Sequence, residues 1–287
     1  MSNPNDHLSD RELLAMTRQL DEMHRDDALP KMKAAVAEWV ESFHEATDGV
    51  SKKASSRRTF LLGTAGVGAS GLILAACGSS SKKAASTPTT TGGSSTSTGA
   101  ANSSAALTGD LAVAATAASL ENLGVYAYKA GISAATAGKL GTVPPAVVTF
   151  AKTAMQQHMD HAEAWNSALT GAGKPAVTAT DPALTPTVNT AFSKVTNVAQ
   201  LGQLALLVEN IAAQTYQAAI PALTAKSSIG VAATIQPVEM QHAAILYYVL
   251  GEYPGIQGTQ SNMYASGPPL AFNPTTLARP ATDYTAA

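Results

Sequence analysis

Two stretches of this chain repeat each other at identical spacing, and each places one glutamate inside an apolar helical stripe. The first begins at Glu121 and carries a tyrosine, Tyr128, seven residues later. The second begins at Glu209 and carries Tyr216 at the same offset. A carboxylate on the apolar face of a helix is costly to bury unless a partner or an ion satisfies it. The repeat therefore favours a fold in which two related helices bring these acids into a shared interior.

A second, shorter repeated motif follows each copy and supplies further side chains that can bind a metal. His158 and His161 follow the first copy, and Glu239 and His242 follow the second, in both cases three residues apart. Positions i and i+3 lie on one helix face, so the two side chains of a pair can hold one ion together. One glutamate on each of two helices, with Glu-x-x-His or a related pair on each of two others, is the pattern by which a four-helix bundle binds two metal ions.

Ionisable residues are scarce in this part of the chain, which makes their positions informative. From Cys77 onward there are three histidines and five glutamates, and nine basic residues balance nine acidic ones. All three histidines and three of the five glutamates fall at the repeated positions. The neutral balance argues against nucleic-acid binding, which needs clustered lysine and arginine to displace counterions from phosphate.

The periodicity of apolar residues predicts an all-α fold. Alanine is abundant and aromatic residues are few, which favours helix over strand. Spacings of three and four predict four helices, at about 107–138, 144–170, 188–225 and 229–250. We expect Pro237 either to begin the fourth helix or to kink it. A short link within each helix pair and a longer, proline-containing connection between the pairs predict a four-helix bundle with one crossover.

This layout resembles the ferritin-like superfamily, and within it the bacterial ferritin-like and desiccation-related proteins, over about residues 107–250. The resemblance implies a bundle with one long crossover whose core binds one or two metal ions, iron or manganese. It also implies the ligands of those ions, which are Glu121, His158, His161, Glu209, Glu239 and His242.

One of these positions departs from the family pattern. His158 stands where relatives usually have the glutamate of the first Glu-x-x-His pair, so one negative charge and one bridging group are lost. The sequence leaves open two ions held asymmetrically, one ion, or none. The alternative is a vestigial bundle in which the buried acids pair with the histidines, because unpaired buried charges cost several kcal/mol each.

The two repeated tyrosines allow two interpretations. Tyr128 and Tyr216 lie two turns beyond the repeated glutamates, on the same helix face. As functional groups they would be radical relays or hydrogen-bond donors to the ligands. As structural groups they would be core aromatic residues with a satisfied hydroxyl, and this is the interpretation that we favour.

An export signal precedes the bundle. The motif Ser-Arg-Arg-Thr-Phe-Leu at 56–61, which contains Arg57 and Arg58, resembles a twin-arginine signal, with Leu62 in place of the usual lysine. An apolar run follows it up to Ala76. The resemblance implies the twin-arginine translocation machinery as a partner. This route carries proteins that have already folded, which agrees with a metal inserted before export.

The apolar run ends in a motif for lipid attachment. Leu-Ala-Ala-Cys at 74–77 resembles the lipobox of bacterial lipoproteins, which implies cleavage before Cys77, a lipid on its thiol and a position on the outer face of the bacterial cytoplasmic membrane. The alternative is an uncleaved transmembrane helix, although the run from 60 to 76 is at the lower length limit and contains four glycines. Cys77 is the only cysteine, so a disulfide framework and a thiol-based active site are excluded.

These features divide the chain into five parts. They are a cytoplasmic helical extension at 1–55, the signal and lipobox at 56–77, a flexible Ser/Thr/Gly linker at 78–105, the bundle at 106–250 and an irregular tail at 251–287. The extension shows helical periodicity, and we expect signal cleavage to remove it. Its histidines, His7, His24 and His44, lack ligand spacing and are interpreted as surface residues.

Two functions from different classes fit the sequence. The first is an exported, lipid-anchored protein with a redox metal centre, for which the resemblance implies ferroxidase or catalase-like activity and a role in stress protection. The second is a non-enzymatic envelope stress or interaction protein with a degenerate or structural metal site. A homodimer fits either function, whereas a closed storage cage agrees poorly with a membrane tether and a long tail.

Overall fold

The computed structural model describes the backbone of residues 9–63, 107–251 and 279. Side chains are described for residues 9–46, 107–251 and 279. The lipobox, the Ser/Thr/Gly linker and most of the C-terminal tail therefore lie outside the described residues. The chain divides into two compact units, one formed by residues 1–45 and 106–287 and the other by residues 46–105.

The described residues form helices, and none of them lies in a strand. The all-α prediction is therefore confirmed. In chain order the helices are α1 (Asp10–Met23), a π-helical turn (His24–Ala28), α2 (Leu29–Gly63), α3 (Gly109–Thr136), α4 (Pro145–Gly171), α5 (Thr185–Phe192), α6 (Val198–Ala219), a 3₁₀ turn (Ile220–Ala222) and α7 (Lys226–Val249).

Four of these helices form the bundle. Helix α3 packs along α4, α6 packs along α7, and α3 also contacts α6. Small residues occupy the first half of α3, where Ala114, Ala115 and Ala118 have no exposed surface. Alanine lets helices approach closely without loss of side-chain entropy, so the interior is narrow and the few polar side chains within it are brought close together.

The prediction of one continuous helix at 188–225 is wrong, because the chain breaks between α5 and α6. Asn197 ends the break by capping α6, since its side-chain oxygen accepts a hydrogen bond from the Gln200 N–H at 2.9 Å. The side chain of Gln200 reaches back to accept from the Thr196 N–H at 2.9 Å. Reciprocal bonds of this kind satisfy the free donors at a helix start, and they compete with a helix that would continue through this region.

Pro237 lies in the middle of α7 rather than at its start. Proline has no N–H, so the carbonyl of Ala233, four residues earlier, loses its helical donor. Helix α7 tolerates this loss and places Glu239 two residues beyond the proline.

The crossover between α4 and α6 is held against α3 by side-chain and backbone hydrogen bonds. The Asn122 amide donates to the carbonyl oxygens of Val177 at 2.9 Å and Ala179 at 3.1 Å. The Asp181 N–H donates to the Ser119 carbonyl at 3.1 Å. These bonds fix the part of α3 that carries Glu121, because Asn122 is its immediate neighbour.

The N-terminal helices belong to the same compact unit as the bundle. Helix α1 contacts α4 and α7, and its buried residues Leu13, Thr17 and Leu20 are spaced by four and three. Further along, Trp39 is 2% exposed and packs edge-on against Trp165, with ring centroids 6.2 Å apart. Residues 10–45 therefore contribute to the core that the bundle helices form.

The π-helical turn keeps one face of this segment buried over its whole length. Buried residues are seven apart from Thr17 to His24 and again from Met32 to Trp39, but eight apart from His24 to Met32. A π-helical turn contains an extra residue. The extra residue accounts for the spacing of eight between His24 and Met32, so Met32 and Trp39 lie on the same face as Leu20 and His24.

The structure corrects one interpretation in this segment. His24 is 3% exposed, so its assignment to the surface is wrong. His44 is exposed, as predicted, and His7 lies outside the described residues. Within the described residues, no helix combines the length and the apolar character that crossing a membrane requires.

Candidate metal centre

The six side chains that the sequence singles out meet in the interior of the bundle. Each is at most 1% exposed. They form two overlapping groups of four, and within each group the ligand-type atoms lie within 4.8 Å of one another. The first group is Glu121, His158, His161 and Glu239, and the second is His158, Glu209, Glu239 and His242.

Each bundle helix supplies part of this centre. Glu121 lies on α3 and Glu209 on α6, one from each copy of the repeat. The i,i+3 pairs come from the other two helices, His158 with His161 from α4 and Glu239 with His242 from α7. Because i,i+3 spacing keeps both members of a pair on one face, each helix aims its whole contribution at the same point.

His158 lies between the two repeated glutamates. Its Nδ1 atom is 2.7 Å from Glu121 Oε2, and its Nε2 atom is 3.3 Å from Glu209 Oε1. Gly124 makes room for the ring, since a Cβ atom there would lie 2.8 Å from His158 ring atoms. The corresponding position of the second copy is Ala212, so the glycine belongs to the half of the repeat that faces this histidine.

Glu239 is common to both groups, and its carboxylate is the least satisfied polar group of the centre. The side chain has no exposed surface, and neither carboxylate oxygen has a hydrogen-bond donor among the described residues. Its Oε1 atom lies 2.8 Å from His161 Nδ1, yet the two atoms do not have hydrogen-bond geometry. Its Oε2 atom lies 3.6 Å from His242 Nδ1. Close atoms that are not aligned with one another are arranged like ligands around a common point.

Gln157 is a residue of the centre that the sequence analysis missed. It is 1% exposed, and its side-chain oxygen accepts a hydrogen bond from His242 Nε2 at 2.7 Å. That bond directs the Nδ1 atom of His242 towards Glu209 and Glu239. Outer partners of this kind fix the tautomer and orientation of a ligating histidine. The available signal was weak, because Gln157 is one residue before His158 and its position on α4 is not repeated elsewhere.

The repeated tyrosines donate hydrogen bonds to the repeated glutamates, each to the glutamate of the other copy. The Tyr128 hydroxyl donates to Glu209 Oε1. The Tyr216 hydroxyl donates to Glu121 Oε1 at 2.5 Å and accepts from Trp165 Nε1 at 2.7 Å. Both tyrosines are core residues with satisfied hydroxyls, as the structural interpretation expects, and both donate to candidate ligands, as the functional interpretation expects.

Opposite charges in the centre lower the pKa values of its acids and raise those of its bases. Burial favours the neutral carboxyl of Glu121, but the imidazoles of His161 and His158 outweigh burial and lower its pKa to about 2. His242 and His158 likewise lower the pKa of Glu209 against the effect of burial. Without an ion, these two glutamates are therefore ionised at neutral pH.

The pKa values of the three histidines are raised for the same reason. Burial opposes protonation of His161, but the Glu121 carboxylate outweighs it and raises its pKa to about 9. Glu239 and Glu209 raise the pKa of His158, and Glu209 raises that of His242, in both cases against burial. Three histidines face three glutamates, so proton uptake by the imidazoles can balance the carboxylate charge when no ion is bound.

His24 borders this centre from outside the bundle. Its ring centroid is 5.3 Å from that of His161, and its Nδ1 atom is 3.8 Å from Asp160 Oδ2. Burial and the nearby imidazole of His161 lower the pKa of His24 to about 3. The ring is therefore neutral at physiological pH and retains a lone pair that can bind a cation.

The other predicted site residues lie apart from this centre or outside the described residues. The backbone of Arg57 and Arg58 belongs to α2, but their side chains are not among those described. Cys77 lies outside the described residues altogether. The export and lipidation motifs therefore stay sequence predictions.

A comparison with protein families finds a match over the bundle. The family described as "Ferritin-like domain" matches residues 92–252, which is more than half of the chain. No curated protein and no solved structure matches the chain significantly. The matched range contains all six candidate ligands and ends at the start of the C-terminal tail, and it does not include the α1–α2 segment with His24.

Proposed function

This chain belongs to the ferritin-like family, and we propose that its bundle binds one or two ions of iron or manganese through Glu121, His158, His161, Glu209, Glu239 and His242. The observation that carries the proposal is the Glu239 carboxylate, which is fully buried and lacks a hydrogen-bond donor on both oxygens. A buried carboxylate that accepts no hydrogen bond is costly. A cation shared between the two four-residue groups would satisfy both of its oxygens.

The donor set fits first-row transition metals. Three carboxylates and three imidazoles surround the shared point, and imidazole with carboxylate suits iron, manganese and zinc. His158 takes a position at which a carboxylate would add negative charge, and each group therefore has two carboxylates and two imidazoles. Glu121 belongs to one group and Glu209 to the other, whereas Glu239 and His158 belong to both.

The surrounding residues are arranged to hold these ligands and to exclude water. Gln157 orients His242, Tyr128 and Tyr216 donate to the two repeated glutamates, and every candidate ligand is at most 1% exposed. When bound, a pair of redox-active ions would supply electrons to oxygen or peroxide. The chain's own contribution is a dry interior with fixed ligand orientation, which favours ferroxidase or peroxide-detoxifying activity.

Export and lipid anchoring form part of the same proposal. They rest on Arg57, Arg58 and the lipobox at Cys77, which would place the domain on the outer face of the bacterial cytoplasmic membrane. Metal insertion before export would agree with a route that carries folded proteins. Cleavage before Cys77 would also remove the N-terminal helices that pack against the bundle. It is tested by the mass and lipid content of the membrane-bound protein, with Cys77→Ser as the variant that should lose its lipid.

A second candidate function is a bundle without a redox metal that acts as an envelope stress or interaction protein. It is favoured by the equal number of histidines and glutamates, because three protonated imidazoles can neutralise three carboxylates without an ion. The loss of a bridging glutamate at position 158 favours the same interpretation. The two functions make different predictions for metal content.

The deciding experiment measures metal in the purified full-length chain. We expect about one or two equivalents of iron or manganese by mass spectrometry, and a change in the ultraviolet–visible spectrum when ferrous ion and oxygen are added. Glu239→Gln should lose the metal, whereas Glu163→Gln, which changes an exposed glutamate on α4, should keep it. A metal-free wild-type chain that takes up no added iron or manganese would support the second function instead.

A further inference from the structure

The four bundle helices leave a groove between α4 and α7. Helix α3 packs along α4 and α6 packs along α7, whereas α4 and α7 touch each other little. This side of the bundle borders the candidate metal centre, because α4 carries His158 with His161 and α7 carries Glu239 with His242. The N-terminal segment, residues 10–45, closes the groove, and its first helix, α1, contacts both α4 and α7.

The N-terminal segment packs into this groove at both ends. At one end, Leu20 shares a buried apolar cluster with Phe150 of α4 and Leu246 of α7. At the other end, Trp39 packs edge-on against Trp165 of α4, with ring centroids 6.2 Å apart. The two contacts lie towards opposite ends of α4, and burial of apolar side chains stabilises both.

Two glycines on the groove walls make room for the segment. A Cβ atom at Gly171, the last residue of α4, would lie 2.4 Å from Val40 Cγ2, which is closer than two carbon atoms can pack. A Cβ atom at Gly230 of α7 would lie 3.3 Å from the Cβ atom of Ala35. Both walls are therefore fitted to α2, because the glycines leave the space that its side chains occupy.

Between these contacts the segment lies directly against the metal centre. The His24 ring is 3% exposed, and its centroid is 5.3 Å from that of the candidate ligand His161. The amide of Gln241, one residue before His242 on α7, donates to the Met23 sulfur at 4.0 Å. The burial of His161 therefore depends in part on the segment.

Export would separate the two sides of this contact. The twin-arginine motif and the lipobox predict that the bundle is carried to the outer face of the membrane, whereas residues 1–55 stay in the cytoplasm and are lost by cleavage before Cys77. The contact between the segment and the groove would then exist only in the precursor, the uncleaved chain, which folds before it is exported.

We propose that the α4/α7 groove is a docking surface for the chain's own N-terminal segment, which seals the precursor and whose loss on cleavage before Cys77 opens the groove beside His161. The inference rests on the proposed export and metal centre and adds regulation to them. In the precursor, the seal keeps bound ions in a closed interior and stabilises the bundle. In the exported protein, the open groove gives ions and dioxygen or peroxide a path to the centre.

A disulfide can hold the seal in place in the full-length chain. Ala35→Cys with Gly230→Cys brings together two Cβ positions 3.3 Å apart, near the separation of about 3.5–4.5 Å found in disulfides. Cys77→Ser removes the only native thiol. After loading with cobalt(II), the oxidised chain should release the ion to a chelator roughly 10-fold more slowly than the same chain after reduction, because the cross-link restricts opening. Equal release rates in the oxidised and reduced chains would overturn the seal.

A substitution on the groove wall should have the opposite effect. Gly171→Ala sets a Cβ atom against Val40 and should speed cobalt release, because the segment no longer fits. The control is Gly202→Ala, whose new atom meets the Leu250 side chain instead, and it should release cobalt at the wild-type rate. Equal rates in these two variants would count against the seal.

A measurement that needs no metal tests the removal of the seal. The chain has two tryptophans, and cleavage before Cys77 leaves only Trp165, which has no exposed surface under the segment. Acrylamide should quench its fluorescence more strongly in the cleaved, membrane-bound protein than in an uncleaved Trp39→Phe chain kept in the cytoplasm by Arg57→Lys with Arg58→Lys. Equal quenching would overturn the opening of the groove.

Failure of the proposed function would give different results. A wild-type chain that binds no cobalt would overturn the metal centre, while the quenching comparison would still decide whether the segment covers the groove. A membrane-bound protein whose mass includes residues 1–76 would overturn the cleavage and the removal of the seal together. Efficient cleavage with unchanged quenching and unchanged cobalt release would overturn only the seal.

Discussion

The hydroxyl of Tyr128, in the first copy of the repeat, donates a hydrogen bond to Glu209, in the second copy. The bond from Tyr216 to Glu121 at 2.5 Å is its counterpart in the opposite direction. The copies thus exchange equivalent bonds across the bundle, and each glutamate is oriented by the tyrosine of the other copy. This exchange couples the two halves of the candidate metal centre.

Replacing Tyr128 by phenylalanine should weaken metal binding while the bundle stays folded. The change removes a donor to a buried carboxylate, and loss of an outer partner typically reduces metal affinity about 10–100-fold. Affinity can be measured by competition with a chelator. The control is Tyr126→Phe on the same helix, where the exposed hydroxyl bonds to Asn189 and should not affect the centre. Equal affinities in the two variants would contradict a role for Tyr128 in orienting Glu209.

Replacing Gly124 by alanine should displace His158. The new Cβ atom would lie 2.8 Å from the ring of a fully enclosed side chain, and overpacking of this kind costs about 1–3 kcal/mol. We expect a lower unfolding free energy and fewer bound ions. In the control, Gly202→Ala, the new atom meets only the end of the Leu250 side chain at 3.1 Å, which can move. Unchanged metal content in Gly124→Ala would indicate that His158 is not a ligand.

Replacing Trp39 by alanine should destabilise the bundle, although Trp39 lies outside the matched family. Its ring is 2% exposed against Trp165, and truncation of a buried aromatic residue costs about 3–5 kcal/mol. Urea unfolding of the full-length chain measures the change. Leu14→Ala, at a position that is 38% exposed, is the control and should cost far less. A negligible effect of Trp39→Ala would show that the N-terminal segment does not contribute to the stability of the unit.

Stability of the metal-free chain should depend on pH through the same cluster. In the folded chain the pKa of His161 is raised to about 9, whereas in the unfolded chain it is about 6.5. Protonated His161 therefore stabilises the fold fully below about pH 6.5, and this contribution is lost as the pH rises through about 9. In the folded chain the pKa of Glu121 is lowered from 4.5 to about 2. Ionised Glu121 therefore stabilises the fold above about pH 4.5, and this contribution is lost as the pH falls towards 2.

The cluster therefore stabilises the metal-free fold most between about pH 4.5 and 6.5. Unfolding free energies measured from pH 3 to pH 10 should show a maximum in that range. His161→Gln should reduce the decline on the alkaline side without abolishing it, because His158 and His242 also have raised pKa values. A maximum above pH 9 would contradict the upward shift of the histidines.

Metal binding should have the opposite dependence on the alkaline side. A histidine must lose its proton to bind an ion, and the carboxylates raise the pKa values of His158, His161 and His242. Affinity should rise with pH up to about 9, and each ion should displace protons into solution. Calorimetry in buffers of different ionisation enthalpy measures this release. Binding without proton release would indicate that the histidines are neutral before the ion arrives.

The sequence predicted the bundle and its six central residues because both depend on local periodicity. Glu121 and Glu209 lie on apolar stripes, and the i,i+3 pairs follow at fixed distances, so helical geometry alone places them on inward faces. The break before Asn197 was missed, since the apolar pattern continues across it and only the capping bonds show where α6 begins. The burial of His24 was missed because this histidine was assigned to the surface for lack of ligand spacing, although it lies four residues after Leu20 and therefore on the same helix face.

The sequence by itself determined which side chains of each bundle helix lie on the face towards the bundle interior, because that depends on the helical repeat of 3.6 residues. Only the tertiary structure decided which of them touch. The exchange of tyrosine bonds between copies, the contact of Gln157 with His242 and the position of His24 beside His161 all join residues distant in the chain. Such contacts depend on how helices pack and on a single π-helical turn, and local periodicity contains neither.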